Sequence, residues 1–128
     1  YGDVLLTSIK SLDKCSDELA FKKLHETILK GSDAVKEIVR TYLKNAGILS
    51  FFDTIIGGYM VAHSKPEPDI FLTALRKLEE LPENAVVLED SENGVRAGKA
   101  AGCSVICVPD LKFPGEEIRV LADCIVSP

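Results

Sequence analysis

Short apolar runs, separated by segments long enough for a helix, constrain this chain more than any other feature. Ala85-Val-Val-Leu88 and Val105-Ile-Cys-Val108 are continuous runs, the pattern of strands covered on both faces. Between them Glu92 to Ala101 reads as a helix ended by Gly102, whose Gly98 and Ala101 would let it lie close on a sheet. Upstream, Val35, Ile38, Val39, Tyr42, Leu43 and Ala46 fall at helical spacing, with Gly47 where a left-handed cap belongs. Phe52 to Gly58 reads as a short strand closed by Gly57-Gly58. A further helix runs from about Glu67 to Glu80 on a stripe of Phe71, Leu75 and Leu78, with Pro66 and Pro68 near its first turn. Pro109 stops the strand before it, and Ala122 to Val126 is a last strand candidate. Strands alternating with helices imply right-handed βαβ units and a parallel sheet. The expected fold is an α/β, Rossmann-like layer with ligands at the carboxyl ends of its strands.

Residues 1–31 stand outside that alternation. Leu19, Leu24 and Ile28 repeat at helical spacing after Ser16, which predicts a helical segment with no strand. The division expected is therefore 1–31 and 32–128. A length of 128 residues fits one domain, or one domain with a small appendage.

Composition removes several classes. A net charge of −5 with no cluster of Lys or Arg offers no basic stripe for nucleic-acid phosphates. No apolar run approaches the roughly 20 residues that span a bilayer, and Tyr1-Gly-Asp-Val-Leu-Leu-Thr7 does not read as a signal peptide. Cys15, Cys103, Cys107 and Cys124 form no CxxC pair, and His25 and His63 are not spaced to complete a zinc site with them. The expectation is small buried thiols in a reducing cytoplasm.

Two loops at strand ends could carry chemistry. In Ser64-Lys65-Pro66-Glu67-Pro68-Asp69 the prolines stiffen the backbone and would hold the Lys65 ammonium at the sheet edge. A fixed cation there suits a phosphoryl oxygen or a carboxylate. The same residues also fit a solvated lysine ahead of a helix with acidic residues in its first turn. In Glu89-Asp90-Ser91-Glu92-Asn93-Gly94 two carboxylates directly extend a buried strand. Hard oxygen ligands of that kind suit Mg²⁺, which keeps several waters. The competing reading is helix capping by Asp90 or Ser91, with Glu92 complementing the dipole. Capping alone does not explain two charges at the end of a buried strand.

Taken together, KPEPDIF from Lys65 and VVLEDSENGVRAGKAAG from Val86 resemble the third and fourth motifs of the haloacid dehalogenase superfamily. The resemblance is to its β-phosphoglucomutase-like and phosphoglycolate-phosphatase-like branch, and it runs over roughly residues 33–126. It implies a Mg²⁺-dependent phosphohydrolase, or a related mutase, working on small phosphorylated metabolites through an aspartyl-phosphate. Lys65 would hold the phosphate, Asp90 would bind Mg²⁺ with Glu89 supporting the metal, and Ser91 and Asn93 would shape the loop. Residues 1–31 would form part of a helical cap.

The family's nucleophile motif, Asp-x-Asp at a strand end, is not found. The nearest string, Asp3-Val-Leu-Leu-Thr7, has Leu5 at the second Asp position. Ser32 stands near the place of the family's phosphate-binding Ser or Thr, and equally fits an N-cap. With the last strand also lacking the helix that normally follows, the expectation is a longer native polypeptide. The alternative is a non-catalytic binding module that keeps these loops.

Overall fold

The computed structural model describes residues 4–7, 33–110 and 112–126. The chain divides into two compact units, 1–62 and 63–128. In the first, β1 (Val4–Thr7), α1 (Asp33–Asn45) and β2 (Thr54–Gly57) are joined in part by a 3₁₀ turn at Leu49–Phe51. β1 and β2 pair antiparallel, from Val4 opposite Gly57 to Thr7 opposite Thr54. This corrects two expectations. A strand stands at Val4–Thr7 where helix was expected, and β2 joins an antiparallel pair rather than a parallel sheet. Four apolar or β-branched residues are too few for a stable helix but suit one strand of a ladder. The residues that carried the helical spacing, Leu19, Leu24 and Ile28, lie outside the described residues.

α1 packs Val39 and Leu43 against Ile48 and Ile55, with Ala46, Leu49, Phe51 and Phe52 around them. Ile38 and Tyr42 are exposed, so the apolar stripe is narrower than its sequence pattern. The helix ends as expected at Gly47, whose φ is +71°. Gly47 N–H donates to Lys44 and Ile48 N–H to Leu43, the paired bonds of a Schellman cap.

The second unit holds α2 (Asp69–Leu78), β3 (Val86–Glu89), α3 (Glu92–Ala100), β4 (Ser104–Cys107), α4 (Glu116–Leu121) and β5 (Cys124–Ile125). Its three strands are parallel in the order β3-β4-β5, the βαβ arrangement that the alternation predicts. α2 buries Phe71 and Leu75 of the expected stripe, together with Ile70 and Ala74. α3 lies on the Val87–Val105 face, and Gly98 makes that approach possible. A Cβ there would stand 2.7 Å from Val105 Cγ2 and 3.2 Å from Val87 Cγ1. Gly102, at φ +85°, ends the helix by the same pair of bonds.

Among the described residues β3 is covered on one face, where its apolar run led one to expect cover on both. Val87 and Glu89 are buried, whereas Val86 is 60% and Leu88 48% exposed. Alternating side chains point to opposite faces, and α3 covers only one of them.

Cys103 and Cys107 are buried free thiols, as expected; Cys124 is also free but exposed, and Cys15 lies outside the described residues. Burial raises both buried thiols above their ordinary value, and at Cys107 the neighbouring Asp90, Glu89 and Glu92 add to the effect. Both stay protonated and unreactive at neutral pH. Among the described residues no helix is long and apolar enough to cross a membrane.

Asp123 joins β4, β5 and α3. Its carboxylate accepts from Lys99 Nζ at 2.8 and 3.0 Å and from the Val105 N–H at 2.7 Å. The Lys99 bond first, then the Val105 bond, hold this carboxyl below its ordinary range. A depressed folded value means the contribution is fully present above the unfolded value, about 4, and is lost as pH falls through the folded one. Asp123→Asn should therefore lower the urea midpoint at pH 7, with the gap to wild type closing as pH drops below about 4. A gap independent of pH would show that the charge is not what matters.

Candidate functional site

β3 delivers Glu89 to the carboxyl end of the parallel sheet. Only 8% of its surface is exposed, and it is the one buried charged residue among those described. Such a carboxylate needs partners for both oxygens, and both have them. Lys65 Nζ donates to Oε1 at 2.5 Å, and Ser91 Oγ donates to Oε2 at 3.0 Å. The two loops singled out in the sequence therefore meet, and they meet at Glu89. Lys65 is not a solvated surface lysine, since only 14% of its side chain is exposed.

Ser91 has two jobs. Its oxygen also accepts from the Gly94 N–H at 3.1 Å, capping α3. Capping and site-building are thus the same contacts rather than rival readings of this loop. Asp90 follows Glu89 at the strand end and is half-buried. Asn93 lies on the exposed first turn of α3. Ser32 lies outside the described residues.

Gly94 completes the pocket for the carboxylate. A Cβ at that position would fall 1.9 Å from Glu89 Oε2 and 2.0 Å from its carboxyl carbon. A free carboxylate could swing away, but this one is tied to Lys65 and Ser91. Gly94→Ala should therefore destabilise the fold by about 1–3 kcal/mol, the usual cost of overpacking. Urea unfolding checks this, and a loss under about 0.5 kcal/mol, the level of a surface substitution, would contradict it.

The loop that carries Lys65 is closed at both ends. Asp69 Oδ2 accepts from the His63 N–H at 3.2 Å and lies 3.0 Å from His63 Nδ1. Inside that clasp the Glu67 N–H donates to Ser64 O at 3.1 Å, and the Lys65-Pro66 peptide is cis. Beyond the site, Glu92 Oε1 accepts from the Gly115 N–H at 3.2 Å, and Arg96 pairs with Glu117.

Sequence reasoning missed the steric role of Gly94 and the His63–Asp69 clasp. Gly94 carried a signal, a glycine one turn into a helix, where it is costly unless space demands it. His63 is not spaced for a zinc site, and nothing local in the sequence links it to a residue six positions on.

A metal would have oxygen ligands here, Glu89 and Asp90, the donor chemistry that suits Mg²⁺. Among the described residues, no group of three or more His, Cys, Asp or Glu converges closely enough to hold a metal.

The family described as haloacid dehalogenase-like hydrolase matches residues 8–108. Protein CbbY of Cereibacter sphaeroides is 53% identical over 66 residues, 52% of this chain and 29% of that protein. A phosphoglycolate phosphatase of Nitrosospira multiformis is 34% identical over 82 residues, 64% of this chain and 36% of that one. Among solved structures, CbbY from Rhodobacter sphaeroides in complex with phosphate aligns with a TM-score of 0.55 at 47% identity. That alignment covers 62% of this chain and 35% of the other. The matched part is thus well under half the length of each of these relatives.

Proposed function

We propose, from the premise that the chain belongs to the haloacid dehalogenase-like hydrolase family, that its Lys65 and Glu89–Asp90 loops serve a Mg²⁺-dependent phosphatase of small phosphorylated metabolites. The observation that carries this reading is the Lys65 ammonium held 2.5 Å from a buried carboxylate at the end of β3, next to Asp90. Relatives named for phosphoglycolate, and a structure holding phosphate, support a small phosphorylated substrate. The acidic chain argues against nucleic acid as the partner. The buried free thiols fit a reducing cytoplasm.

Each residue has a task its surroundings suit. Glu89 fixes the Lys65 ammonium at the end of β3, where a held cation suits a phosphoryl oxygen. Asp90 would hold Mg²⁺ directly, with Glu89 supporting it through water. When bound, the metal would neutralise charge on the transferring phosphoryl group. Ser91 keeps Glu89 in place, and Ser32 and Asn93 retain the phosphate contact and loop-shaping roles that the resemblance implies. We propose the family's aspartyl-phosphate route, with none of the described residues assigned as its nucleophile.

The test is phosphate release by the full-length protein from a panel of sugar phosphates and phosphoglycolate, with Lys65→Arg alongside. A planar fork cannot place its charge where a compact ammonium does. Turnover should fall about 100-fold, the cost of losing one well-aimed transition-state donor. No hydrolysis of any panel member, or unchanged turnover in Lys65→Arg, would overturn the assignment.

A further inference from the structure

The Lys65 loop is closed by a residue outside the site itself. Asp69 opens α2, and its Oδ2 accepts from the His63 backbone N–H while touching the His63 ring. His63 and Asp69 bracket Lys65, with Ser64 and Glu67 bonded between them. The side chain of Lys65 leaves this loop to reach Glu89. We infer that Asp69 is the positioning residue for Lys65, holding the loop in the one form that points the ammonium at Glu89.

The physical reason is the placement of the bonds. The Glu67-to-Ser64 bond closes the inner turn but does not reach His63. The Asp69 carboxylate supplies that bond from the first turn of a ten-residue helix, whose buried Ile70 and Phe71 follow directly. Without it, the loop gains alternative conformations, and the Lys65 ammonium spends part of its time away from Glu89. Asp69→Asn keeps an oxygen that accepts from the His63 N–H, whereas Asp69→Ala keeps nothing.

The test reads Lys65 directly. Full-length protein is treated briefly with trace acetic anhydride, and acetylation of each lysine is followed by mass spectrometry. In Asp69→Ala the Lys65 rate should rise about fivefold over wild type, the size of one net hydrogen bond. Lys99, held by Asp123 in the same unit, should react at its wild-type rate, and Asp69→Asn should stay close to wild type at Lys65. An unchanged Lys65 rate in Asp69→Ala would overturn the inference. So would a rise shared equally by Lys99, which would mean general loosening. A kinetic arm rests on the phosphatase reading: kcat should fall in Asp69→Ala and recover in Asp69→Asn. Because acetylation needs no turnover, a shifted Lys65 rate in a protein that hydrolyses nothing would sink the phosphatase reading and leave the positioning role standing.

Discussion

Replacing the Lys65 ammonium by a methyl-capped chain of similar length, Lys65→Met, should cost about 3–5 kcal/mol of unfolding free energy. A surface ion pair is worth only about 0–1 kcal/mol, so the size of the effect is itself diagnostic. The difference lies in what is left behind. Glu89 is buried on the inner face of β3, Gly94 leaves it no room to turn toward the helix, and Ser91 satisfies only one oxygen. Its other oxygen would face a thioether. The second substitution then decides the cause. Glu89→Gln in the Lys65→Met background removes the stranded charge, so the double variant should regain at least about 2 kcal/mol, a coupling expected of residues in contact. Urea unfolding of the four proteins in this cycle measures both numbers. A single-variant loss below about 1 kcal/mol, or a double variant no more stable than Lys65→Met, would show the pair to be an ordinary surface contact.

Asp90→Ala should cost activity above all. Asp90 is half-buried at the strand end, next to Glu89. Removing a metal ligand from phosphoryl transfer forfeits several kcal/mol of charge stabilisation. Turnover of a small phosphomonoester should then fall by about 10²–10³-fold. Raising Mg²⁺ should recover part of the loss if Asp90 acts through the metal. Wild-type turnover in Asp90→Ala would refute the metal assignment, and collapse of the fold would move Asp90 into the structural frame.

Much of this was legible in the residues because the signals are local. Val86-Val-Leu88 followed by Glu89-Asp90 placed two carboxylates at a strand end, and Gly47 and Gly102 marked helix ends by needing positive φ. Lys65 and Glu89 are 24 positions apart, and what pointed to a shared cleft was the buried run before Glu89 and the Pro-stiffened loop around Lys65. What escaped the sequence is what depends on packing. The pattern Val-Val-Leu cannot tell a strand covered on both faces from one covered on one face, as Val86 and Leu88 turned out to be. Val4–Thr7 was too short a run to outweigh the helical spacing beyond it, and its partner β2 lies some fifty positions away. Gly94 reads as an unremarked glycine until Glu89 is placed against it. Glu79 ends α2 at φ 55°, a place where glycine is the usual signal, so that helix end could not be read from residue type.

The most direct test of the central claim is phosphate release by the full-length protein from a small phosphomonoester, measured in Mg²⁺ and again after chelation. The account predicts steady hydrolysis with Mg²⁺, its loss on chelation, and its return when Mg²⁺ is restored. Hydrolysis that continues undiminished in excess chelator, or none across phosphoglycolate and the sugar phosphates with Mg²⁺ present, would contradict it.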